Sequence, residues 1–167
     1  HYKIQHTILE LPWFKDITSS ALINSNEKIP ELTTETLDDE TTTRESAKRV
    51  WVPNRKGVFL NIAASFAEGN SIGKIIVGFN AEEAKTFPDN SEEYMFRINK
   101  ALEYSTLTEV VVTSFTTTMN KIQIVKIGQE LNIPFDFIWS CYEGIDQQCG
   151  RCESCKRYLR AIQYNDK

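Results

Sequence analysis

The chain has 167 residues, 41% of them hydrophobic and 25% charged, with a net charge of −4 and a pI near 5.3, enough for one ordinary domain with its own core. No apolar run approaches the roughly 18 residues of a membrane-spanning helix. An acidic chain also does not suit direct binding to a nucleic-acid backbone, which favours a basic surface. Neither a basic leader nor an apolar stretch opens the sequence, so no signal peptide is expected and the cytoplasm is the expected compartment. The first residue is His1, not Met, and the chain is therefore expected to begin partway into a longer protein.

Residues 2–14 carry Ile4, Ile8, Leu9, Leu11, Trp13 and Phe14 and read as a buried strand, with His6 on its surface. A turn is expected over 19–23. Twelve of the fifteen residues in 31–45 are Thr, Asp or Glu, and only Leu32 and Leu37 are apolar, so this stretch reads as a mobile loop within a single domain. Val50-Trp51-Val52 reads as a short strand meeting a turn at Pro53. Phe59, Ile62, Ala63, Phe66 and Ala67 have helical spacing over 58–68, and Gly69-Asn70 ends that helix. Residues 74–79 are a β-branched strand, and 80–89 a polar loop leaving its C-terminal end. Asn90 is expected to cap the next helix, with Glu93 at the capping-box position and Met95, Ile98 and Leu102 facing inward. A further strand spans 109–115. Asn120 with Gln123 then opens a helix whose Ile124, Ile127 and Leu131 face the core.

Alternating strands and helices predict a parallel sheet covered on both faces. Ligands of such sheets bind beyond the C-terminal strand ends, here the loops 53–57, 80–90 and 116–121. Phe137 and Trp139 are expected in the core. Arg151, Lys156, Arg157 and Arg160 read as a solvated helix face.

All four cysteines, Cys141, Cys149, Cys152 and Cys155, lie in one 15-residue window, with none earlier. Such crowding suits a gripped metal better than disulfides, which staple distant segments. Two-residue gaps place paired sulfurs on one ion, and Gly150 sits where the knuckle turns tightly. Four thiolates close the shell of a tetrahedral zinc, so the site reads as structural zinc within a C-terminal segment spanning 139–160. Two disulfides and an iron–sulfur cluster are the competing readings.

The segments Val50-Trp51-Val52-Pro53-Asn54-Arg55, Phe59-Leu60-Asn61-Ile62-Ala63, Asn80-Ala81-Glu82-Glu83, Phe87-Pro88-Asp89, Asn120-Lys121 and Trp139-Ser140-Cys141-Tyr142-Glu143-Gly144, followed by the remaining cysteines, occur in that order. The chain thereby resembles the 7-cyano-7-deazaguanine synthase family of queuosine and archaeosine biosynthesis from near residue 1 to about residue 160. The resemblance implies an ATP pyrophosphatase with a Rossmann-like sheet of the adenine nucleotide alpha hydrolase type. It implies a substrate set of 7-carboxy-7-deazaguanine, ammonia and ATP with Mg²⁺, a structural zinc ion, and a ligase reaction through acyl-adenylate and amide intermediates. A homodimer is the expected assembly. Lys121 is implied as the catalytic phosphate contact, and Asn54, Arg55, Asn80, Glu82, Pro88 and Asp89 as substrate-binding residues. Family members open with a Ser-Gly-Gly-x-Asp-Ser loop that cradles pyrophosphate. None of the seven glycines here lies in such a loop, so the first strand and phosphate loop are expected to be missing, and this chain alone to be weak or inactive. The alternatives are a tRNA-thiolating or amide-forming ATP pyrophosphatase, which would favour a basic face, and a zinc-stabilised binding module.

Overall fold

The computed structural model describes residues 2–166. Its elements are α1 (Phe14–Ile17), α2 (Glu40–Val50), α3 (Arg55–Gly69), β1 (Lys74–Ile76), α4 (Ala81–Ala84), α5 (Glu92–Ser105), β2 (Val111–Thr113), α6 (Lys121–Glu130) and α7 (Glu153–Asn165), with 3-10 turns at Pro88–Asn90 and Phe135–Phe137. Among the described residues no helix is long and apolar enough to cross a membrane.

Strands β1 and β2 pair in parallel, with Lys74 opposite Val111, Ile75 opposite Val112 and Ile76 opposite Thr113. The connection between them runs through α4 and α5, the crossover that parallel pairing requires. Side chains alternate faces along a strand, so Ile75 and Val112 share one face. That face packs on Leu60, Ala64 and Ala67 of α3 and on Leu102 of α5, with Phe79 and Val110 completing the core. The opposite face carries Ile76 and Val111, both exposed. The small sheet is therefore covered on one face, not on both as expected. The Asn99 side chain of α5 donates to Val112 O at 2.9 Å and accepts from Val112 N at 2.8 Å. It satisfies the outer edge of β2, which would otherwise offer unpaired backbone groups.

Several expected elements differ. Residues 2–11 form no strand and are largely exposed, and only Phe14, in α1, is buried there. Residues 50–52 are the end of α2 and an extended link, not a strand. The inner face of α3 is Leu60, Ala64 and Ala67, whereas Phe59 and Phe66 are exposed. The cap of α5 is Ser91, whose side chain accepts from Tyr94 N at 3.1 Å. Pro88 starts a 3-10 turn that takes up Asn90 and delays the helix by one residue. The expected capping box of α6, Asn120 with Gln123, is present in both directions.

The stretch 31–45, expected as a mobile loop, is irregular over 32–39 and helical from Glu40. Asp39 accepts from Thr42 N at 2.8 Å and opens α2 at Glu40. The buried face of α2 is Thr43, Ser46, Ala47 and Val50, one helical stripe built partly of small polar residues. Thr43 spends its hydroxyl on Asp39 O at 2.8 Å, which leaves its methyl free to pack. Leu37, at 1% exposure, anchors the segment. Replacing Leu37 by Ala is expected to cost about 2–5 kcal/mol of unfolding free energy in a urea titration. Leu107→Ala, at a fully exposed position, should stay within about 0.5 kcal/mol. Equal, small effects at both positions would show that the 31–45 stretch does not pack.

Candidate active site and metal centre

Beyond the C-terminal ends of β1 and β2 the chain opens into a cleft of about 670 Å³, within the size range of small-molecule sites. The two strand exits are tied together. Thr116 Oγ1 donates to Phe79 O at 2.6 Å, and Ala81 N donates to Met119 O at 2.9 Å. Asn80 is buried and caps α4 by accepting from Glu83 N at 2.9 Å. These bonds fix where the next two residues point.

Glu82 and Glu83 diverge. Glu83 faces the cleft, where its Oε1 lies 2.9 Å from Lys121 Nζ and its Oε2 accepts from Asn90 Nδ2 at 3.4 Å. Glu82 turns away from it. Its Oε1 accepts from Arg157 Nη1 at 2.6 Å and from Arg160 Nη2 at 2.8 Å, and its Oε2 accepts from Lys121 N at 3.1 Å. Lys121 is thus held twice, by Glu82 at its backbone and by Glu83 at its ammonium. Burial alone would raise the Glu82 carboxyl, but hydrogen bonds from Arg157 and the Lys121 amide hold it below the ordinary value of 4.5. Burial acts the same way on Glu83, and the charge of Lys121 overrides it.

Of the residues expected to bind substrate, Arg55, Asn80 and Lys121 line the cleft. Asn54, Pro88 and Asp89 line an adjoining hollow of about 490 Å³ with Trp51 and Tyr94. Asn54 has a left-handed backbone, φ 50°, and its Oδ1 would lie 2.0 Å from a Cβ at position 57, so Gly57 is what lets it fold over the first turn of α3. Lys56, overlooked in the sequence, links the cleft to Asp89 of the second hollow. It lines the cleft, and its Nζ lies 3.7 Å from Asp89 Oδ1, a buried atom with no hydrogen-bond partner. Burial pushes the Lys56 ammonium down, partly opposed by Asp89 and Glu83. Glu83 and Arg157 were also missed as organising residues. Arg157 is not part of a solvated face but 7% exposed and ion-paired. Trp139 is 49% exposed on the cleft wall and Phe137 is 68% exposed, so neither is core.

The four cysteine sulfurs lie within 4.8 Å of one another, a cluster able to hold a metal ion. Gly150 has φ 69°, the left-handed turn expected in the knuckle. The N–H groups of Glu143, Gly144 and Cys149 point at Cys141 Sγ at 3.3, 3.0 and 3.2 Å, and Cys152 N donates to Cys149 Sγ at 3.3 Å. Against the effect of burial, the Cys149, Gly144 and Glu143 amides bring the Cys141 thiol down to about 6. Burial pushes the Cys155 thiol up. Backbone donors on sulfur and four sulfurs gathered within 4.8 Å fit a tetrathiolate metal site.

A parallel β-α-β unit, a cleft beyond its strand ends lined by three basic side chains, and a four-thiol cluster able to hold a metal define an α/β protein with a candidate site. A family model described as queuosine biosynthesis protein QueC matches residues 1–166, and the chain belongs to that family. It is 51% identical over 161 residues to a 7-cyano-7-deazaguanine synthase of Pelotomaculum thermopropionicum, covering 96% of this chain and 73% of the relative. It is 47% identical to a 7-cyano-7-deazaguanine synthase of Bdellovibrio bacteriovorus, covering 97% of this chain and 70% of the relative. One of Methanosarcina mazei is 46% identical, over 97% of this chain and 71% of that protein.

Both glutamates have folded-state values below the ordinary 4.5. The stability they contribute is therefore present in full above the ordinary value and is lost as pH falls through their lower folded values. Urea unfolding of the wild type between about pH 6 and pH 3 should show that loss. Glu82→Gln should be destabilised already at neutral pH by roughly 3–5 kcal/mol, because Arg157 is left buried and underpaired, and should lose less on acidification. An unchanged acid dependence in the variant would contradict the network.

Proposed function

We propose that the protein is an ATP-dependent ligase that converts 7-carboxy-7-deazaguanine and ammonia to 7-cyano-7-deazaguanine. The observation that carries this reading is the similarity along nearly the whole chain to relatives bearing that enzyme's name. The cleft supports it, since Arg55, Lys56 and Lys121 outnumber Glu83 among its charged groups and suit a ligand with carboxylate and phosphate oxygens.

A carboxylate resists ammonia until it is activated. Its oxygen attacks the α-phosphate of ATP and releases pyrophosphate, giving an acyl-adenylate. Ammonia displaces AMP and loses a proton, giving the amide. The amide oxygen is adenylated in turn with release of a second pyrophosphate, and loss of AMP and the remaining protons leaves the nitrile. Charge builds on phosphate in both adenylations, so positioned cations are the main contribution the protein makes. Lys121 is the cation assigned that work, at the first turn of α6, and Asn80 and Arg55 line the same cleft. Asp89, whose Oδ1 faces Lys56 at 3.7 Å and accepts no hydrogen bond, is assigned to the guanine-like edge of the deazapurine. Glu82, expected among the substrate contacts, is assigned instead to holding Lys121.

The cysteine cluster is proposed to hold structural zinc, whose closed shell supplies folding energy and no activated water. Elemental analysis should give about one zinc per chain. Cys152→Ser should lower metal content and melting temperature together. A metal-free chain that melts like the metal-bound one would refute a structural role.

The gene product containing this chain should release AMP and pyrophosphate from ATP only when 7-carboxy-7-deazaguanine is present, and should form the nitrile with ammonia. Lys121→Ala should slow adenylate formation in a single turnover by roughly 10²-fold, about 3 kcal/mol. Asp89→Asn should instead weaken affinity for the deazapurine and leave ATP affinity little changed. A thiolated or amidated tRNA product with no nitrile, or normal adenylation by Lys121→Ala, would overturn the assignment.

A further inference from the structure

Arg157 lies in the second turn of α7, two residues beyond Cys155 and five beyond Cys152, the helix cap. It touches no wall of the cleft and is nearly inaccessible. Its guanidinium is spent on three groups from different parts of the chain. Nη1 donates to Glu82 Oε1 at 2.6 Å, Nε and Nη2 donate to Glu153 Oε1 at 3.0 and 2.9 Å, and Nη2 donates to Leu37 O at 2.9 Å. Glu153 is itself fixed, because Ser46 Oγ donates to its Oε2 at 2.6 Å. A planar donor fork held at this many points has one orientation, and it imposes that orientation on Glu82.

Glu82 passes the constraint on. Its second oxygen accepts from Lys121 N. Lys121 is the first residue of α6, so its amide has no partner within the helix. Glu83, the next residue of α4, holds the Lys121 ammonium at the cleft edge. We infer that Arg157 is a positioning residue that fixes Lys121 in the cleft through Glu82, linking the cysteine-bearing helix to the reacting end of the molecule. The inference rests on the reading of Lys121 as the adenylation residue. Arg160 also reaches Glu82, at 2.8 Å, but its side chain is more exposed and shared with Asp38, so it is the weaker of the two clamps.

A residue that only glued α7 to α2 would lower stability and leave the turnover of the folded fraction unchanged. A positioning residue acts through Lys121 and has nothing to act on once Lys121 is gone. The test is a kinetic double-mutant cycle in the full gene product, with folding checked by circular dichroism and bound metal by elemental analysis. Arg157→Gln should slow single-turnover adenylation by about 10- to 100-fold, as a misplacement of the order of 1 Å does, with the affinities for ATP and the deazapurine changed less than about 3-fold. In the Lys121→Ala background the same substitution should cost little further rate, since effects within one interacting unit are not additive. Equal losses in both backgrounds, or no loss in either, would overturn the inference. Should Arg157→Gln fail to fold, Arg157→Lys keeps the charge and one contact, and the same non-additivity is required of it. A wild type that forms no adenylate at all would sink the functional reading alone. Amide exchange at Lys121 then decides the inference: faster exchange in Arg157→Gln supports it, and unchanged exchange rejects it.

Discussion

The carboxylate of Glu82 is the constraint on which the arrangement depends. A buried carboxylate is costly unless it is paired and hydrogen-bonded, and Glu82 is satisfied from α6 by the Lys121 amide and from α7 by Arg157 and Arg160. Neither helix can shift without leaving a charge stranded. Through Arg157 the same network reaches Glu153, Ser46 of α2 and the Leu37 carbonyl. Separately, Glu31 ties the same segment to the cysteine loop, pairing with Arg151 at 2.9 Å and bridging to Cys152. A segment rich in Thr and acids is in this way ordered by polar partners and a single deeply buried leucine.

The cleft shows how an acidic chain can carry a locally basic hollow. The net charge of −4 describes the whole surface. The local field at the strand ends is set by Arg55, Lys56 and Lys121 against Glu83. A concave, partly desolvated site concentrates such a local excess. Lys56 lines that cleft and is ion-paired with Asp89 at 3.7 Å.

What was legible in the sequence was what is local. The cysteine spacing announced the four-thiol cluster, and the Asn120 to Gln123 spacing announced the capping box, because both are decided within a few residues. The parallel pairing of the two β-branched runs was legible too, although each strand is shorter than its apolar run. What failed depends on distant partners. The apolar residues of 2–14 suggested a strand, but no neighbouring strand pairs with them among the described residues. The polar stretch 31–45 suggested a loop because Thr43 and Ser46 do not look like core. They bury only because their hydroxyls find Asp39 O and Glu153. Glu82 and Glu83 are adjacent, and nothing in their order says which faces the cleft. Consecutive helical residues point about 100° apart, and the arginines of α7 decide the matter from 75 and 78 positions away. The family resemblance named Glu82 as a substrate contact, whereas the cleft lining takes Glu83.

The central claim is that Glu82 and Arg157 form one energetic unit. A double-mutant cycle of unfolding free energies, joining Glu82→Gln and Arg157→Gln, measures that directly. The account predicts an interaction energy of at least about 1.5 kcal/mol, with the double variant far less destabilised than the sum of the singles. Effects that add to within about 0.5 kcal/mol would contradict it.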